Sequence, residues 1–93
     1  MTPKLTLYSR KDCCLCDEMK KVIRQVSKKV SLDFAEIDVD SSAELKEIYG
    51  AEVPVLFIDG RKAFKYGVTE KKLEERLARR RIWRRWDLMT RGS

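Results

Sequence analysis

Three cysteines fall within four positions of "SRKDCCLCDEMKK", Ser9–Lys21, and the chain has no other cysteine and no histidine. Two chemistries fit such a cluster: a dithiol that exchanges with disulfides, or part of a metal cage. A structural zinc site takes four N or S ligands. Three cysteines reach that number only with carboxylates, a second chain or added glutathione. The dithiol reading needs only Cys13 and Cys16. The thiolate is the reactive form of cysteine, and positive potential favours it. A helix N-terminus supplies that potential through unpaired N–H groups and the macrodipole. Arg10 and Lys11 add to it, while Asp12, Asp17 and Glu18 oppose it. Cys16 stands about one helical turn after Cys13 and can reach back to it. Cys13 then attacks a disulfide, and Cys16 displaces the resulting mixed disulfide. Cys14 is rotated away by about 100° and needs no role in this scheme.

The flanking elements must place Cys13 at a helix start, and the pattern does so. "KLTLYS" alternates apolar Leu5 and Leu7 with polar neighbours and reads as a strand over residues 4–9. Leu15, Met19, Val22, Ile23, Val26 and Val30 then recur at spacings of three and four. They predict a helix over residues 14–29 with one buried face. "LDFAEIDVD", residues 32–40, reads as a second strand. Ser41 and Glu44 fit a capping box for a short helix whose apolar side is Leu45, Ile48 and Tyr49, with Gly50 placed to stop it. Val55 to Ile58 is a continuous apolar strand, expected to be buried on both faces. Asp59-Gly60 is a two-residue turn signal, and Arg61 to Tyr66 returns as the partner strand. Thr69 caps a third helix, with Val68 and Leu73 as its hydrophobic staple and Leu77 and Ala78 continuing the apolar side. The order βαβ, helix, ββα implies an α/β domain with a mixed four-stranded sheet and helices on its faces.

The chain has 93 residues, 43% of them hydrophobic, enough for one small globular domain with a marginal core. No internal repeat is visible. The opening "MTPKLTLYSRKD" has no long apolar run and no cleavage pattern, so neither a signal peptide nor a membrane span is expected. A cytoplasmic location follows as the expectation, and there a clustered CxxC is catalytic or metal-binding rather than a structural disulfide. The net charge is +6, but residues 79–93 carry six arginines against Asp87, a net +5. The basic character therefore belongs to this extension, residues 79–93, and not to the domain, residues 1–78. Its arginines are interleaved with Ile82, Trp83 and Trp86. It reads as a solvated helix extension folding back on the domain, or as a contact for an acidic partner, nucleic acid or a membrane surface.

"YSRKDCCLCDEM" after a strand, "EVPVLFIDG" before a hairpin and "YGVTEKKL" opening the last helix resemble the glutaredoxin and thioredoxin superfamily. The likeness is closest to small bacterial glutaredoxin-like proteins with a CxLC-type site, and it spans Lys4 to about Leu77. The resemblance implies a glutaredoxin-type thioredoxin-like fold, βαβαββα, and a monomeric thiol–disulfide oxidoreductase. Such a protein reduces disulfides or glutathionylated proteins, with no bound cofactor and with glutathione as co-substrate. Cys13 would match the nucleophile, Cys16 the resolving cysteine and Pro54 the cis-proline beside the dithiol. The Val53 backbone would pair with an extended thiol peptide. Arg10, with Lys11 beside it, would meet the glycyl carboxylate of glutathione, and the Val68 and Thr69 N–H groups its γ-glutamyl carboxylate. The sequence departs from the glutaredoxin pattern at Cys14 and Leu15 between the cysteines, at Tyr66-Gly67 before the last helix, and at Glu52 ahead of Val53-Pro54. These departures leave the dithiol intact. They keep a protein substrate or a thioredoxin-type reductase open as alternatives to glutathione. Two other functions also stand: a thioredoxin-like binding module working through its basic extension, and a glutathione-assisted metal or iron–sulfur carrier.

Overall fold

The computed structural model describes residues 2–79. Strand β1 (Lys4–Ser9) alternates as its sequence requires. Leu5, Leu7 and Ser9 turn to one face of the sheet and are buried; Thr6 and Tyr8 turn to the other. Helix α1 (Cys14–Ser27) follows and crosses back to β2 (Asp33–Asp38), which pairs parallel with β1. A 3-10 turn (Val39–Ser41) leads into the short helix α2 (Ala43–Tyr49). Strands β3 (Val55–Ile58) and β4 (Arg61–Lys65) form an antiparallel hairpin, and β3 also pairs antiparallel with β1. The strand order is β2-β1-β3-β4, a mixed sheet as expected. The final helix, α3, occupies residues 70–79.

The core lies on one face of the sheet. Leu5 and Ile58, and Leu7 and Leu56, are directly opposed across β1 and β3. Against them sit Met19, Ile23 and Val26 from α1 and Leu73 and Leu77 from α3. Tyr8 and Phe57 belong to the other face, where α2 closes over them: the Tyr49 ring stacks on Tyr8 at 4.7 Å and meets Phe57 edge-on at 5.9 Å. Each such aromatic pair contributes about 0.5–1.5 kcal/mol beyond its buried area. With Val55, Leu56 and Ile58 buried, β3 is covered on both faces.

Local chemistry sets the joints. Asp59 and Gly60 both take positive φ, 51° and 82°, the geometry of a type I′ hairpin turn. Asp59 also accepts the Lys4 N–H through Oδ1 at 3.0 Å, which fixes the turn to the start of β1. Thr69 Oγ1 accepts the Lys72 N–H at 3.2 Å and so caps α3 as read from the sequence. Val68, just before that cap, packs on the cluster that holds Leu73.

Four expectations need correction. Leu15 does not belong to the buried stripe of α1; it is 51% exposed, and Cys16 takes the inward position with Met19, Ile23 and Val26. The helix ends at Ser27, not Lys29. Ser42 and not Ser41 caps α2, accepting the Leu45 N–H at 3.3 Å, because residues 39–41 are spent in the 3-10 turn. Ile48 and Ala78 are exposed instead of lining the apolar sides of their helices.

Candidate active site

Antiparallel pairing sets Tyr8 opposite Val55. The end of β1, the turn that carries the cysteines, and the Val53-Pro54 bond therefore share one end of the sheet. Asp12 takes a positive φ of 57° and turns the chain into the helix. Cys13 is then the N-cap of α1, with extended backbone, and its carbonyl accepts the Asp17 N–H at 3.1 Å. Its sulfur accepts the Cys16 N–H at 3.2 Å. The sulfur thus occupies the place a serine or aspartate oxygen takes in an ordinary cap, on one of the unpaired N–H groups of the first turn.

The three cysteines are free thiols in three environments: Cys13 half-buried, Cys14 exposed and Cys16 buried, with 1% of its surface accessible. Burial, and next the hydrogen bond with Cys13, push the Cys16 thiol up to about 11. The Arg10 backbone and the Lys20 ammonium act the other way. Cys16 is therefore held as a thiol against the Cys13 sulfur.

Pro54 is buried, and the Val53-Pro54 peptide bond is cis, as the resemblance implied. The Pro54 carbonyl accepts the Tyr66 N–H at 2.8 Å, which joins the end of β4 to this corner. Tyr66 has a positive φ of 70°, uncommon for a bulky side chain, and is 48% exposed. The Val53 N–H is donated to the Tyr49 carbonyl at 3.1 Å, so this part of the backbone expected to pair with an extended peptide is engaged within the chain. Glu52 is neutralised locally. Lys62 donates to it at 2.9 Å and Lys65 lies at 3.8 Å, and the Lys62 hydrogen bond holds its carboxyl below the usual range.

The remaining expected ligand contacts are more dispersed. Arg10 is engaged inside the chain. It pairs with Asp40, with Nε and Nη2 each 3.2 Å from a carboxylate oxygen, and Nη1 donates to the Gly50 carbonyl at 3.4 Å. Lys11 is exposed in the turn before Cys13. Val68 and Thr69 stand at the start of α3, following Tyr66 and Gly67. The cysteines do not gather into a metal site: among the described residues no three His, Cys, Asp or Glu side chains are grouped to hold a metal ion. No helix among these residues is long and apolar enough to cross a membrane. The readings placed on the arginine- and tryptophan-rich extension, from residue 80 on, lie outside the described residues.

Sequence reasoning missed one cluster under the dithiol. Ser9, only 4% exposed, donates through Oγ to Glu36 Oε2 at 2.7 Å. The same oxygen lies 3.1 Å from Lys20 Nζ, and Asp17 is 3.5 Å from that ammonium. The hydrogen bond to Glu36 raises Lys20, and the hydrogen bond from Ser9 lowers Glu36. The i,i+3 spacing of Asp17 and Lys20 was the one part legible in the chain.

Residues 4–78 match the family described as Glutaredoxin-like domain (DUF836). The chain is 33% identical to a protein from X. campestris solved by X-ray crystallography, with a TM-score of 0.69, covering 80% of this chain and 95% of that one. It is 29% identical over 82 residues to an uncharacterized protein of Mycobacterium tuberculosis, covering 83% of this chain and 84% of the relative. Thioredoxin from Fasciola hepatica superposes with a TM-score of 0.57 at 22% identity, covering 84% of this chain and 80% of that one. The fold is thus α/β and thioredoxin-like.

Proposed function

The chain belongs to the glutaredoxin-like domain family, and from that premise we propose that it is a thiol–disulfide oxidoreductase working through Cys13 and Cys16. One observation carries this reading: the half-exposed Cys13 sulfur caps the helix on the Cys16 N–H at 3.2 Å, and Cys16 itself is buried beside it. The Cys13 thiolate attacks one sulfur of a substrate disulfide. That S–S bond breaks, a Cys13–substrate disulfide forms, and the other substrate sulfur leaves and takes a proton. Cys16 then gives up its proton and attacks the Cys13 sulfur. The Cys13–Cys16 disulfide forms, and the second substrate sulfur departs as a thiol. Two electrons have passed from the protein to the substrate. Reduced glutathione or a dithiol reductase returns them.

Two observations favour a disulfide-containing protein over glutathione as the preferred substrate. Arg10, the expected contact for the glycyl carboxylate, is paired with Asp40 and Gly50. Leu15 and Tyr66, both about half exposed, add apolar surface that a protein substrate can cover. The protein acts as a monomer in a reducing compartment such as the cytoplasm, where a dithiol stays reduced.

The test is reduction of insulin and of a mixed glutathione disulfide by the full chain, each coupled to glutathione or to thioredoxin reductase. Cys13→Ser is expected to abolish turnover, and Cys16→Ser to accumulate a mixed disulfide at Cys13, seen by mass spectrometry. Undiminished turnover in the Cys13 variant refutes the proposal. Faster reduction of the glutathione disulfide than of insulin reverses the preference.

A further inference from the structure

The Ser9–Glu36–Lys20 cluster has an odd position for a structural ion pair. Glu36 is opposite Leu7 in the β1–β2 register, so it issues from the sheet face that α1 covers. An apolar side chain there would extend the core. Instead, the carboxylate accepts a buried hydroxyl on one side and an ammonium on the other. Lys20 comes four residues after Cys16 on α1, so both side chains rise from the same face of the helix. Two carboxylates restrain its ammonium, and one of them is itself anchored by the hydroxyl of Ser9. Partly exposed ion pairs contribute only about 0–1 kcal/mol to stability, so the fold gains little from this arrangement.

The dithiol, by contrast, has a use for a fixed positive charge. The resolving step requires Cys16 to lose its proton in a site 1% exposed to solvent, where burial disfavours the anion. Resting on the dithiol reading above, we propose that Lys20 is a positioning residue for the resolving step: Ser9 and Glu36 hold its ammonium one helical turn beyond Cys16, where it stabilises the Cys16 thiolate.

The groups facing Cys16 are the Cys13 sulfur at the helix start, the Arg10 backbone from the preceding turn, and Lys20 from the following turn, with Glu36 and Asp17 behind the ammonium. In the step itself the Cys16 proton passes to solvent and the Cys16 sulfur bonds to Cys13. The bond from Cys13 to the substrate sulfur breaks, and that sulfur leaves and takes up a proton. Lys20 exchanges no proton; its charge is present before and after.

The test uses the full chain with oxidised glutathione as the probe. Quenched-flow mass spectrometry follows formation of the glutathionylated protein and then its resolution to the internal disulfide, from pH 6 to pH 10. Lys20→Gln is expected to slow resolution at pH 7 by about tenfold, the change that one unit in thiol ionisation produces, with formation unchanged. Its pH profile should move upward, and Lys20→Arg should restore both rate and profile. A wild-type rate and profile in Lys20→Gln overturns the proposal, as does an equal slowing of both steps. A second measurement separates this idea from the dithiol reading. In a Cys13→Ser background, the Cys16 titration followed by its 13Cβ shift should move upward in Lys20→Gln. If the wild-type chain forms a mixed disulfide with neither oxidised glutathione nor insulin, the dithiol reading fails. The titration still decides whether Lys20 acts on Cys16, and an unmoved titration refutes it.

Discussion

The Arg10 guanidinium grips the Asp40 carboxylate at two points, 3.2 Å each, and so ties the turn before the cysteines to the segment leading into α2. The side chain that the family resemblance assigned to a ligand carboxylate already holds one from its own chain. Both partners are more than one-third exposed, so the pair is worth about 0.5–1 kcal/mol at most. Asp40→Ala releases Arg10. The expected result is a KM for a glutathione mixed disulfide lowered roughly two- to fivefold, with insulin reduction unaltered. An unchanged KM would show that Arg10 does not meet that ligand.

Cys14 is exposed and lies outside the Cys13–Cys16 contact. Cys14→Ser is expected to leave the rate of disulfide reduction at its wild-type value. A steady-state assay of the purified variant checks this. A large loss of activity would assign the third thiol a part in turnover.

The buried Cys16 thiol gives stability a definite pH dependence. Its folded-state value is raised, from 9.0 to about 11, by burial first. A raised value means that the folded state keeps its proton where the unfolded state has lost it. The stabilisation is fully present below about 9 and is lost as pH climbs toward 11. Urea unfolding of the reduced protein between pH 8 and pH 11 should show this fall for wild type. Cys16→Ala should have a flatter profile over that window.

Thr69 caps α3 through its hydroxyl, and α3 delivers Leu73 and Leu77 to the core. Thr69→Ala is expected to cost about 1 kcal/mol, a Tm loss of roughly 4–8 °C for a domain of this size. Thermal unfolding followed by circular dichroism measures it, and Thr69→Ser should retain most of the wild-type value.

The cap at Thr69, the Asp59-Gly60 turn and the bounds of β1 were legible in the chain because each is set by residues within a few positions. The cap of α2 was not. Ser41 has the capping-box partner Glu44 in the sequence, but residues 39–41, with Val39 buried, form a 3-10 turn and the cap passes to Ser42. Leu15 was misread for a related reason. It keeps the helical apolar spacing, but Cys16 takes the inward place in the first turn and leaves Leu15 at the rim. Within the site, Cys13, Cys16 and Pro54 carried local or family signals. The contacts of Glu36 with Ser9 and Lys20 did not, because pairs so far apart in the chain leave no spacing rule in the sequence.

Closing one sulfur off from water gives the pair a single port. In the proposed chemistry, an oxidant or electron donor of the pair makes its first bond at residue 13, since the sulfur at residue 16 presents almost no surface. Overoxidation by peroxide, which follows thiolate character and access, is confined to the outer thiols. The proposed internal exchange then has the inner sulfur to itself.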